Sequence, residues 1–168
     1  MTLRCWDFWE NNAMGRKQNL FSRGDVIRTN PEKGFFGIAV VLDDGEKIEL
    51  SDSRWSYPMC HIAVTPLIFQ HEVSIEEIDS SNLKPLTFLR NYNLNGNILP
   101  YREEIMVHIY TTRNKANLPV IGKIDPSDMY REPLMWSPQG NRFFLYGDAD
   151  ASLGREAYLV WFGKNNAT

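Results

Sequence analysis

The stretch Phe21–Leu50, FSRGDVIRTNPEKGFFGIAVVLDDGEKIEL, decides the fold. Gly24–Asp25 makes a turn into a short apolar strand at Val26–Ile27, and a loop punctuated by Pro31 and Gly34 follows. Phe35 to Leu42 is then a longer run of aromatic and β-branched residues, Asp43–Asp44–Gly45 turns the chain, and Lys47 to Leu50 returns as a strand of alternating polarity. Apolar runs separated by glycine, asparagine and aspartate signals are the pattern of a β-meander.

The same signals continue outward. Cys60 to Gln70, CHIAVTPLIFQ, reads as a strand bent at Pro66, because proline withholds a ladder donor. Ser74-Ile-Glu-Glu77 is a capping-box pattern and predicts a short helix ending near Asp79–Ser81. Pro85 to Asn91 is a further strand, and Asn93 to Asn97 a turn or loop. In Glu103 to Thr112, Ile105, Val107 and Ile109 alternate with Met106, His108 and Tyr110, a strong strand signal. Pro119 to Ile124 is a short strand, Asp125 to Gly140 with its three prolines a long loop, and Arg142 to Tyr146 and Ala157 to Phe162 two closing strands. The sum is a mainly β chain: a single domain, with a strongly bent antiparallel sheet or partly open barrel and one or two short helices. Residues 1–19, with Trp6, Phe8 and Trp9, are expected to form an aromatic-rich arm or helix packed on the body; 20–162 form the β-rich body and 163–168 a tail.

Composition narrows the class. The 168 residues suit one domain with a full core, and 43% hydrophobic with 23% charged residues is ordinary for a globular protein. No apolar run approaches the roughly 18 residues of a membrane span, and Asp7 and Glu10 interrupt any signal-peptide core. Cys5 and Cys60, far apart and without a CxxC, read as small apolar residues in a reducing compartment. A cytoplasmic protein is the expectation. The net charge of −3 is uneven: Leu42 to Asp79 carries −7, and the parts before and after it carry +2 each. An acidic surface repels phosphate and attracts a basic protein.

No motif supports an enzyme. His61, His71 and His108 lack metal-ligand spacing, and no GxSxG, P-loop or GxGxxG is present. The paired carboxylates Asp43–Asp44, Glu76–Glu77 and Glu103–Glu104 fall at turns or termini where solvation is cheap, so none is expected to carry a raised pKa. No cofactor and no metal are expected, and oligomeric state is left open by the exposed strand edges.

A binding module is therefore the leading class. The pattern Phe21-x-x-Gly24-Asp25-Val26-Ile27, then Gly37 to Leu42, then Pro119-Val-Ile-Gly122-Lys-Ile124, and a terminal Tyr158-Leu-Val-Trp-Phe162, resembles the landmarks of the immunity protein 26 family. The resemblance implies a bacterial immunity protein of a polymorphic-toxin or contact-dependent growth inhibition system. Such a protein binds a cognate toxin domain, for instance a nuclease, and covers its active site or substrate cleft. It implies no catalytic residues. The charge map places the expected contact on Asp43, Asp44 and Glu46, on the Asp52–Trp55–Tyr57 loop, and on Glu76 and Glu77, with Trp55 and Tyr57 as anchors in a charged rim. The alternatives are a small β-barrel peptide-binding module using Phe35, Phe36 and Trp55, and a small hydrolase with a site assembled from His61, His71 and Asp25.

Overall fold

A computed structural model describes residues 20–45, 58–98, 101–129 and 143–167. The strands are β1 (Asp25–Glu32), β2 (Phe35–Val41), β3 (Met59–Phe69), β4 (Thr87–Arg90), β5 (Asn93–Leu94), β6 (Asn97–Ile98), β7 (Arg102–Thr111), β8 (Val120–Lys123) and β9 (Phe143–Asp148). One helix, α1 (Arg155–Asn166), follows them. The chain is mainly β, as the alternation in the sequence predicts. Seven strands form one sheet in the order β4-β7-β3-β2-β1-β8, with β9 added on β7. The path does not close into a barrel among the described strands, and β5–β6 is a separate hairpin. All pairings are antiparallel except β7 with β9, which is parallel.

The bend comes from Pro66. The β2–β3 register jumps from Ala39↔Val64 to Gly37↔Ile68, so Thr65, Pro66 and Leu67 bulge opposite Ile38. Thr65 Oγ1 donates to the Ile38 carbonyl at 2.9 Å and occupies an acceptor at the bulge. Past the bulge β3 stays with β2 and leaves β7. β7 pairs with β3 over Val107–Thr111, with β4 over Arg102–Ile105 and with β9 over Ile105–Ile109. Because β9 overlaps both, β3 and β4 must succeed one another along β7's other edge. The Leu86 N–H to Val64 carbonyl bond, at 2.8 Å, marks the handover.

Both faces of the sheet are covered. On one, Ile27, Val41, Ile62, Val64, Met106 and Tyr110 pack with Leu153 and Ala157, which α1 and the turn before it bring down onto the sheet. On the other, Val26, Ile38 and Val40 pack with Val73, Ile78 and Leu83 from the connection after β3. The opening turn is built on Gly24, whose φ is +84° and where a Cβ would lie 2.1 Å from the Ile124 carbonyl oxygen. Gly24 itself donates to Val41 at 2.8 Å and accepts from Ile124 at 2.9 Å, tying β1 to its neighbours.

One expectation is corrected. Ala157 to Phe162 is not a strand; it lies in α1, which continues through Asn166 into the stretch expected as a tail. Five apolar residues in a row carry neither a period of 2 nor one of 3.6, so Tyr158–Phe162 gave no helical signal. The helix is started by Gly154 and stopped by Asn165 and Asn166, whose side chains donate back to the Trp161 and Phe162 carbonyls at 2.7 and 2.9 Å. The turn expected at Asn93 to Asn97 is present: β5 and β6 pair around Asn95–Gly96, with φ of +52° and +86°, as in a type I′ hairpin turn. The expected strand Lys47–Leu50, the arm 1–19 and most of the loop after Asp125 lie outside the described residues. No described helix is long and apolar enough to cross a membrane.

Candidate functional site

The turn after β2 was expected to offer its carboxylates to a partner, and it uses them internally first. Asp43 Oδ1 accepts the His61 backbone N–H at 2.7 Å, and Oδ2 lies 2.7 Å from His61 Nδ1. A carboxylate only accepts, so the ring proton sits on Nδ1. Asp44 Oδ1 accepts the Arg23 backbone N–H at 2.9 Å, and Arg23 Nη1 donates to the Leu42 carbonyl at 2.6 Å. Asp43 is half-buried and Asp44 exposed, so Asp44 is the more solvent-facing of the two. Glu46, Asp52, Trp55 and Tyr57 lie outside the described residues.

Glu76 and Glu77 stand on a ridge. The connection Glu72–Leu83 buries Val73, Ile78 and Leu83 in the core and leaves Glu72, Glu76, Glu77 and Asp79 exposed. Two single 3-10 turns, Ile75–Glu77 and Ser80–Asn82, set this spacing. The capping box expected from the sequence is present: the Ser74 N–H donates to Glu77 Oε1 at 2.9 Å, and the Glu77 N–H faces the Ser74 side chain, while its 3.2 Å bond to the Ser74 carbonyl closes the turn. His71 Nε2 lies 2.7 Å from Glu77 Oε2, and this bond is the chief reason that carboxyl sits below its ordinary range. Asp79 is lowered by the Ser81 hydroxyl and then by Asn82, and Glu76 by its own backbone N–H and then by Ser74. Glu72 reaches Arg28 Nη1 at 3.1 Å. Bonds within the chain thus favour the ionised forms of Glu76, Glu77 and Asp79, and Arg28 positions Glu72.

The carboxylate expected to be cheaply solvated at Glu104 is instead fully buried. Strand alternation turns it inward beside Met106, while Glu103 stays exposed. Its Oε1 lies 3.1 Å from Arg102 Nε, and its Oε2 accepts the Tyr92 hydroxyl. Arg90 and Arg102 face each other in the β4–β7 register, and Glu104 lies between them and offsets one of their two charges. The sequence signal for this group was the i, i+2 pair Arg102 and Glu104 at the start of an alternating strand.

The residues considered for a hydrolase are each held by a different partner: His61 by Asp43, His71 by Glu77, and Asp25 by Lys123 at 3.6 Å. Burial pushes the Cys60 thiol up to about 12, so it stays protonated and packs as an apolar residue. His108 is buried, its Nδ1 has no hydrogen-bond partner among the described residues, and burial lowers its pKa. No three histidine, cysteine or acidic groups among the described residues are arranged to hold a metal ion. Comparison with protein-family models, curated proteins and solved structures finds no match to this chain.

Proposed function

We propose that this chain is a non-catalytic binding protein that receives a basic protein partner on the Glu72–Asp79 ridge. In this reading it serves in the cytoplasm as an immunity protein, neutralising a cognate toxin domain by covering its active site or substrate cleft. The supporting observation is the ridge itself: four exposed carboxylates on a segment whose apolar residues are pinned in the core. Such a surface speeds encounter with a basic cleft and competes there with nucleic acid, and its rigidity limits the entropy lost on binding. Asp44 stays exposed on the turn after β2, whereas Asp43 holds that turn. The terminal landmark of the family resemblance falls on α1, so the proposal leans on the ridge.

The test is co-purification from the native host at low and moderate salt, with wild type and a Glu72→Gln/Glu76→Gln double variant in parallel. One basic protein at near-equal amount with wild type, weakened by salt and by the variant, is the expected result. That protein then supplies the activity to be inhibited in a purified pair. A stoichiometric partner indifferent to both salt and variant, or none at all, would overturn the reading.

A further inference from the structure

A second surface of opposite chemistry lies at the far end of the sheet. Both oxygens of buried Glu104 are engaged, one by Arg102 and one by Tyr92. Arg90 is drawn towards this carboxylate without bonding to it: its Nε stays 3.8 Å from Glu104 Oε2. Among the described residues the Arg90 guanidinium donates no hydrogen bond. It lies over aromatic rings instead, with Cζ 4.1 Å from the Phe144 ring centroid and 5.7 Å from that of Tyr92. These contacts consume no N–H group, and the side chain is 40% exposed. The outcome is a forked donor fixed in place and open to solvent.

The geometry points to Arg90 as an anchor for a single carboxylate presented by an acidic protein segment. The fork matches a carboxylate in two parallel charge-assisted bonds. A nucleic acid strand would need cumulative positive charge. Here Glu104 already offsets one of the two arginine charges, so positive charge does not accumulate. The adjoining segments suit a protein interface: the β5–β6 hairpin that follows Arg90 in the chain displays Leu94 and Ile98, 41% and 70% exposed, and Tyr101, 68% exposed, precedes the Arg102 that pairs with Arg90. An arginine held over aromatic rings, with exposed aliphatic and tyrosine side chains in the neighbouring chain, has the composition of a binding hot spot. This inference is independent of the acidic ridge.

The test follows arginine Nε–Hε and backbone resonances of the labelled protein during three titrations. The probes are a blocked tripeptide with a glutamate between two leucines, an acetylated trileucine with a free C-terminal carboxylate, and inorganic phosphate. A saturable shift centred on Arg90 with either peptide, weakened about tenfold or more by Arg90→Gln, is expected. The peptide that binds tells whether the carboxylate comes from a side chain or a chain end. Arg90→Lys keeps the charge but loses the fork, and is expected to bind more weakly than wild type. Unchanged β4 and β7 amide resonances would show that both variants are folded. Equal binding by Arg90→Lys, tighter binding of phosphate than of either peptide, or no saturable shift would each overturn the assignment.

Discussion

Asp43 Oδ2 lies 2.7 Å from His61 Nδ1 while Oδ1 of the same carboxylate takes the His61 backbone N–H at 2.7 Å, so one side chain closes the turn between β2 and β3 at both ends of a residue. His61 is only 9% exposed, and its N–H has little access to water once this acceptor is gone. Asp43→Ala is therefore expected to cost about 1–3 kcal/mol, the penalty of leaving a buried donor unmade. Asp44→Ala, at an exposed position, should stay within about 0.5 kcal/mol of wild type. Urea unfolding of the two variants side by side checks this. Equal losses would mean that the His61 contact carries no special weight.

Gly154 makes a second prediction, one of paired sign. Its φ is +89°, and a Cβ there would lie 2.9 Å from Thr29 Oγ1 on β1. This is the point where the start of α1 meets the sheet, next to the Arg155–Glu32 ion pair and the packing of Phe35 against Tyr158 at 4.9 Å. Gly154→Ala should lower stability by at least about 1 kcal/mol, from the left-handed backbone alone. Gly163, inside the same helix, has nothing within 4 Å of its would-be Cβ. Gly163→Ala should raise stability by about 0.5–1 kcal/mol. Thermal melts of the two variants are expected to move in opposite directions.

These features differ in how openly the sequence announces them. Pro66 marks the bulge because a missing donor is a local property, and Ile105, Val107 and Ile109 mark β7 because alternation is local too. The Ser74–Glu77 box is read correctly for the same reason, although only one 3-10 turn follows it. Tyr158–Phe162 fails because an unbroken apolar run fits several structures, and only docking on β1–β3 selects the helix. The site divides likewise. The exposure of Glu76 and Glu77 follows from their place between buried anchors. The engagement of Asp43 by His61 and the burial of Glu104 depend on pairings across 18 residues and across the β4–β7 ladder, which no local pattern reveals.

Glu104 allows a third prediction. Removing it leaves Arg90 and Arg102 opposite each other on adjacent strands with no anion between them. Glu104→Ala is expected to cost about 3–5 kcal/mol, as for a buried ion pair broken from one side. Adding Arg102→Met to that variant should recover part of the loss, because the less exposed of the two remaining cations disappears. The measurement is a double-mutant cycle in urea; strict additivity of the two changes would show that Glu104 does not act through the arginine pair.

His108 carries the last prediction: it is expected to weaken the fold as pH falls below neutrality. Desolvation holds its folded pKa below the ordinary 6.5, against the weaker opposing pull of Glu156 and Asp150. Tyr146 packs against its ring at 5.4 Å, and Met106 and Tyr110 flank it on β7. Above the unfolded pKa both states are neutral at this ring and it contributes no pH dependence. As pH falls through 6.5 the unfolded chain takes up a proton that the folded chain refuses, so stability declines until the lower folded pKa is reached. The carboxylates Glu77 and Asp79, whose folded pKa values lie below 4.5 and 3.8, lose their contribution only at more acid pH. Urea midpoints should therefore fall between pH 7.5 and pH 5 in wild type. In His108→Gln that decline should be smaller, whatever the variant's stability at pH 7.5. A decline of equal size in the variant would place the titrating group elsewhere.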